Sequence, residues 1–175
     1  MFVTIYLPNF YLQAAMRHQP QLRAKSVALI EEQEKKPVII QLNEAAASAG
    51  IRQGMTPSQA LARSLQVVIK VRAREQEKSL QEILLHYAFT LSPFVEATAP
   101  GVCTVQFMDN RDVSAKLSRL IEQLAKCEIA AQAGIAPLPD ASFLAAHLAR
   151  PVLQIDDAKE FLAPLPIETL AIGIN

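Results

Sequence analysis

Residues 92–107 read SPFVEATAPGVCTVQF, and the fold is decided by how this stretch is read. Ser92-Pro93 stops the segment before it, because proline lacks an amide donor and biases its predecessor away from the helical region. Phe94–Ala97 and Val102–Phe107 are β-forming runs, and Pro100-Gly101 between them is turn chemistry. Upstream, Arg74–Leu91 carries Leu80, Ile83, Leu84, Tyr87, Ala88 and Leu91 at steps of three and four, the apolar stripe of a helix. Downstream, Asp112–Lys126 repeats the pattern through Val113, Leu117, Leu120, Ile121 and Leu124. A strand at Glu128–Gly134, a helix at Ala141–Leu148 and a short strand at Val152–Ile155 are expected next, and Asp156-Asp157 opens a helix to Leu162.

Further out, Phe2–Tyr6 alternates as a first strand and Pro8 breaks it, with Asn9 as the cap of a short helix through Arg17. Ser26–Ile30 and Pro37–Leu42 flank the polar run EEQEKK and predict an antiparallel hairpin. Asn43 or Glu44 starts an Ala-rich helix closed by Gly50, Thr56-Pro57 opens another, and Val67–Val71 is a strand. The second half reads β-β-α-β-α on one long helix, and the first strand belongs with it, so the residues alone give a soluble α/β domain. The middle, about 17–71, is an insertion with its own small core.

The composition is that of an ordinary globular domain: 175 residues, 51% hydrophobic and 19% charged. A chain of this length buries roughly 70% of its unfolded surface and needs no staple. Apolar stretches fall short of the ~20 residues of a spanning helix. The start lacks a signal peptide's basic region and cleavage site, so a soluble, cytoplasmic protein is expected. Cys103 and Cys127 are expected as buried free thiols, and His18, His86 and His147 as structural residues.

Net charge is zero, but residues 1–30 hold no acid beside Arg17, Arg23 and Lys25, and 45–74 hold none beside Arg52, Arg63, Lys70, Arg72 and Arg74. A positive N-terminal lobe can meet phosphate, or can simply be a solvated basic surface. No catalytic set stands out. Gly50–Gly54 lacks the Gly-Lys-Ser/Thr of a phosphate loop. Asp109, Asp112, Asp140 and the Asp156-Asp157 pair read first as helix caps.

Taken in order, these stretches resemble the Y-family (translesion) DNA polymerases. The opening motif D-M-D-x-F-[FY]-A is matched by Tyr6-Leu7-Pro8-Asn9-Phe10-Tyr11-Leu12, with both aromatics kept and both acids lost. The fingers motif Y-E-A-R-x-x-G-[VI]-x-x-G-M is matched by Glu44–Met55, with the triphosphate-holding tyrosine and arginine falling on Glu44 and Ala47. The motif S-P-x-[VI]-E-x-x-S-I-D-E is matched by Ser92–Val102, with its two catalytic acids falling on Gly101 and Val102. Phe161–Leu170 with Ile172-Gly173 is similar to the approach to the family's thumb.

The resemblance implies an α+β fold, a ferredoxin-like polymerase palm with a small inserted fingers subdomain. The implied boundaries are 1–16 and 72–165 for the palm-like domain, 17–71 for the fingers-like subdomain and 166–175 for the start of a thumb. Loss of the acids at Tyr6, Gly101 and Val102 is most similar to the ImuB class. That implies a non-enzymatic scaffold in DNA repair and SOS-type, damage-tolerant synthesis, with no metal and no cofactor. No nucleotide is expected at Tyr11, Glu44 and Ala47; Tyr11 stands at the family's steric gate. Arg52, Lys70, Arg72 and Arg74 are the candidates for weak, salt-sensitive backbone contacts with DNA. An error-prone replicative-type polymerase, the sliding clamp and a recombinase-like accessory protein are the partners implied for a full-length context. The competing expectations are a nucleotidyltransferase with carboxylates displaced to Asp109 or Asp112, and a pure protein-interaction domain.

Overall fold

The computed structural model describes residues 1–31, 36–109, 111–166 and 169. The chain divides into two compact units, Met1–Pro8 with Gln81–Asn175, and Asn9–Leu80.

The first unit is built on a five-stranded sheet. Its strands are β1 (Phe2–Tyr6), β5 (Val95–Ala99), β6 (Val102–Gln106), β7 (Gln132–Ala136) and β8 (Val152–Gln154), in the order β5-β6-β1-β7-β8. β1 is central and antiparallel to β6 and β7, and β8 is added parallel to β7. Without β8 this is the ferredoxin-like order that the resemblance implies. Period-two alternation gives each strand two faces. Val3, Ile5, Cys103 and Val105 lie on one and are wholly buried. Thr4 and Tyr6 lie on the other, under α6 (Pro139–Leu148), which packs on β1, β7 and β8. Gly134 is essential to that packing, since a Cβ there would overlap the backbone of Ser142 and Ala146. α5 (Val113–Lys126) buries Leu117, Leu120 and Leu124 and packs on β7 and β8. α4 (Arg74–Phe89) is joined to the β5–β6 turn by Gln81, whose Oε1 accepts the Gly101 amide at 2.7 Å.

A chain of hydroxyls crosses this sheet. Ser142 Oγ donates to the Pro139 carbonyl at 2.7 Å, which uses its only proton. Thr4 therefore donates to Ser142 (2.8 Å), Thr104 to Thr4 (3.3 Å) and Thr98 to Thr104 (2.8 Å).

The second unit is a three-stranded sheet, β3-β2-β4, of β2 (Val27–Ile30), β3 (Ile39–Leu42) and β4 (Val68–Val71). β2 and β3 form the expected antiparallel pair, and β4 adds parallel to β2. α1 (Phe10–Met16) covers one face with Leu12 and Ala15 against Leu22, Val27 and Leu29. α2 (Glu44–Ser48), α3 (Pro57–Arg63) and the connection between them cover the other, with Ala46, Ala60 and Ile51 respectively in the same cluster as Ala28 and Ile39. Both faces of β2 are thus buried, which is why VALI reads as a continuous apolar run.

Several local expectations need correcting. Asn43, Thr56 and Asp157 cap their helices through side chains, but Asn9 and Asp112 do not. Both sit in the left-handed region at φ 50° and 57°, which turns the side chain away from the first turn. At α1 the Gln41 Oε1 accepts the Leu12 amide instead (2.9 Å). Asp140 lies inside the first turn of α6, and the cap position is Leu138. β7 begins at Gln132 rather than Glu128, because Glu128 takes φ 65° and the Ile129 amide returns to the Leu124 carbonyl to close α5. Cys103 is buried as expected, but Cys127, just past α5, is exposed. The expected thumb segment 166–175 falls outside the described residues except for 166 and 169.

Candidate functional site

In the first unit, three residues singled out from the sequence meet at one end of the sheet. Tyr6 ends β1 and pairs with Val102 across β6, and the Leu7 amide donates to the Gly101 carbonyl at 2.8 Å. The Gly101 φ of 72° makes the turn that brings this about. The Tyr6 ring stacks on the His147 imidazole of α6, with centroids 4.0 Å apart, and Phe143 lies 4.4 Å from the same imidazole. His147 Nδ1 is 2.9 Å from the Phe143 carbonyl, which can only accept. The proton of the neutral ring is therefore on Nδ1 and Nε2 carries the lone pair. Burial lowers the His147 pKa and raises that of Tyr6, so both rings stay neutral across the middle pH range. No local pattern marks the parts played by His147 and Phe143, which come from the helix–sheet packing alone.

A hard divalent cation takes oxygen ligands, chiefly carboxylates. A phenol kept protonated by burial, a glycine and the buried Val102 do not fit one. Among the described residues, no group of three His, Cys, Asp or Glu side chains could hold a metal. The displaced acids are not brought here either. β6 runs from Val102 beside Tyr6 to Gln106 beside Phe2, so Asp109 and Asp112 follow its far end. The five residues of β6 separate them from Tyr6, at about 3.3 Å per residue. Asp109 is paired with Arg111 at 2.6 Å on the surface, and its carboxyl is held below the usual range by that hydrogen bond.

In the second unit, the ring of Tyr11 lies under the Arg72 guanidinium, with Cζ 3.8 Å from its centroid, and Phe10 meets it edge-on at 5.4 Å. Arg72 is forked onto Glu77, Nε to Oε1 at 2.8 Å and Nη2 to Oε2 at 2.6 Å. Its Nη1 donates to Glu31 Oε2 at 2.7 Å, and Arg74 Nη2 reaches Glu31 Oε1 at 3.0 Å. These bonds hold the Arg72 pKa above even its ordinary value. Lys70 Nζ donates to Gln19, and Arg52 Nη1 to the carbonyls of Ala47 and Ile51. Glu44 opens α2 and is exposed. All four cationic candidates thus have intramolecular partners. Arg72 is the most enclosed of the paired arginines, with its side chain 13% exposed against 58% for Arg74. No local pattern singles out Glu31 and Glu77, which organise them, because one sits in a charge run and the other in a helix's first turn.

The two units carry opposite charge. Residues 9–80 hold eleven Lys and Arg against six Glu, and the rest of the chain six against eleven acids, so the formal charges are +5 and −5.

A ferredoxin-like sheet interrupted after its first strand by a small basic α/β unit is a Y-family-polymerase-like architecture. The chain belongs to the impB/mucB/samB family, whose model matches residues 5–147. It is 24% identical over 172 residues to DNA polymerase IV of Pseudomonas syringae pv. tomato (strain ATCC BAA-871 / DC3000), covering 92% of this chain and 48% of that protein. Its fold is similar to the insertion ternary complex of Dbh DNA polymerase, with TM-score 0.85 and 14% identity over 99% of this chain and 54% of that one. The post-insertion binary complex of the same polymerase gives 0.84 and 16%, over 96% and 52%. DinB from Sulfolobus solfataricus gives 0.81 and 16%, over 96% and 52%. The chain spans about half the length of these relatives.

These findings overturn the expectation that the chain is no enzyme. Its relatives are DNA polymerases, so the family is an enzymatic one. That Tyr6, Gly101 and Val102 carry no carboxylate describes those residues and does not define the class of the protein. The chain is also matched to only half of the polymerase it resembles in sequence.

Proposed function

We propose that this chain is the palm-and-fingers part of a Y-family-type protein that engages primer–template DNA in damage-tolerant synthesis. The observation that carries this is the polymerase fold joined to a basic unit of +5 on a chain of zero net charge. A duplex is a dense line of phosphates, and a cationic surface that neutralises some of them releases counterions, giving sequence-independent affinity. Arg52, Lys70, Arg72 and Arg74 are the contacts proposed, and residues 17–71 supply most of the fingers. Tyr6, Gly101 and Val102 supply no metal ligand, so no catalytic step is assigned to them. The setting is cytoplasmic, in an SOS-type response. An error-prone polymerase, the sliding clamp and a recombinase-like protein are the partners proposed for a full-length context, as the ImuB-like motif pattern supports.

The test is fluorescence anisotropy of labelled primer–template DNA titrated with the protein. Weak binding whose logarithm falls linearly with the logarithm of salt is expected. No binding at the lowest salt sinks the reading. Magnesium-dependent binding of a deoxynucleoside triphosphate, followed by calorimetry in parallel, would reveal a nucleotide site built from groups other than Tyr11, Glu44 and Ala47.

A further inference from the structure

We propose that Arg72 and Arg74 form a cradle for a backbone phosphate, and that Glu31 occupies it as a built-in competitor. The proposal rests on the DNA-binding reading above and adds a regulatory element to it.

Glu31 offers one oxygen to each arginine, Oε2 to Arg72 Nη1 at 2.7 Å and Oε1 to Arg74 Nη2 at 3.0 Å. A phosphodiester presents its two non-bridging oxygens in the same way, and a guanidinium pair suits either anion. The Arg72 half of the cradle does not depend on Glu31 for its position. Arg72 is fixed from behind by both oxygens of Glu77, a buried residue, and from below by the Tyr11 ring. Only its Nη1 edge is directed at Glu31, so the guanidinium stays in place when that carboxylate leaves. Arg74 supplies a second cation that is more than half exposed. Arg52 and Lys70 differ, for their partners are backbone carbonyls and a neutral amide, and no acid is displaced at either.

Binding of DNA at this point therefore exchanges one anion for another. Glu31 lowers the affinity for any phosphate and holds the two arginines together in its absence.

The experiment compares the wild-type chain with Glu31→Gln and Glu31→Asp by anisotropy on primer–template DNA across a salt series. Glu31→Gln is expected to bind roughly threefold to tenfold more tightly, with a salt slope steeper by about 0.9, the signature of one more phosphate contact. Adding Arg74→Ala to Glu31→Gln should abolish the gain. If Glu31→Gln does not fold by circular dichroism, Glu31→Asp must show a gain in the same direction, because its shorter side chain cannot bridge both arginines. Wild-type binding with no gain in a folded variant overturns this proposal and leaves the DNA reading standing. No binding by any of the proteins overturns both. A gain for a free triphosphate but none for DNA also overturns the assignment to a backbone phosphate.

Discussion

The Tyr6 ring lies on the His147 imidazole, with centroids 4.0 Å apart and planes inclined by 23°. One residue ends the central strand and the other belongs to the helix over it, so the stack pins α6 to β1 beside Val102. Both groups are half-buried and both are favoured in the neutral form.

Stability should therefore depend on pH at both ends. The folded pKa of His147 lies below its unfolded value of 6.5, so the unfolded chain binds more protons between the two. The contribution is complete above about 6.5 and is lost as pH falls through the folded pKa. For Tyr6 the folded pKa lies above 10.0, so its contribution is lost as pH rises past about 10. Urea midpoints across pH, compared between wild type and His147→Phe, should show a smaller acid-side loss in the variant. Parallel curves on the acid side would refute the assignment to His147.

Gly134→Ala should be among the most harmful small changes in the chain. The added carbon meets backbone atoms of α6, which cannot rotate aside. A loss of about 3 kcal/mol is expected, the upper end for overpacking a tight core. Denaturant titration would measure it, and a loss no larger than that of an exposed Gly→Ala change would contradict the packing.

Glu77→Gln removes the charge that faces an enclosed guanidinium. A destabilisation of about 2–3 kcal/mol is expected, mostly from the Arg72 charge left with a weaker partner. Glu77→Gln with Arg72→Met should recover part of it, because an apolar pair needs no compensation. The urea midpoints of the single and double variants check this; a double variant worse than the sum of the singles would argue against it.

The hydroxyl chain predicts non-additivity. Thr4→Val interrupts it between Thr104 and Ser142 and should cost about 1–2 kcal/mol. Ser142→Ala takes away the same central bond, so the pair should cost less than the two singles together. Strict additivity would mean that the four hydroxyls do not act as one network.

Much of the architecture was legible in residue order. The period-three-and-four stripe of Leu80, Leu84 and Ala88, the alternation of Phe2–Tyr6 and the Pro100-Gly101 turn are local signals, and each reports its own element. Asn43, Thr56 and Gly50 marked helix ends because capping chemistry acts within a few residues. These elements in this order gave an α/β domain with an insertion, and the motifs they carry pointed to its family and its ferredoxin-like sheet. Only the tertiary structure decided what surrounds each side chain. That Tyr6 stacks on His147, that Gln41 rather than Asn9 completes α1, and that Arg72 is chelated by Glu31 and Glu77 are meetings of residues distant in sequence. They depend on strand register and helix placement, which no local pattern carries. That Tyr6, Gly101 and Val102 carry no carboxylate can be read from the sequence, but the side chains at three positions do not report the class of protein. The charges of Arg72 and Arg74 were visible from the start; that they are already engaged by an acid of their own unit follows from the parallel pairing of β2 with β4, which sets Glu31 beside them.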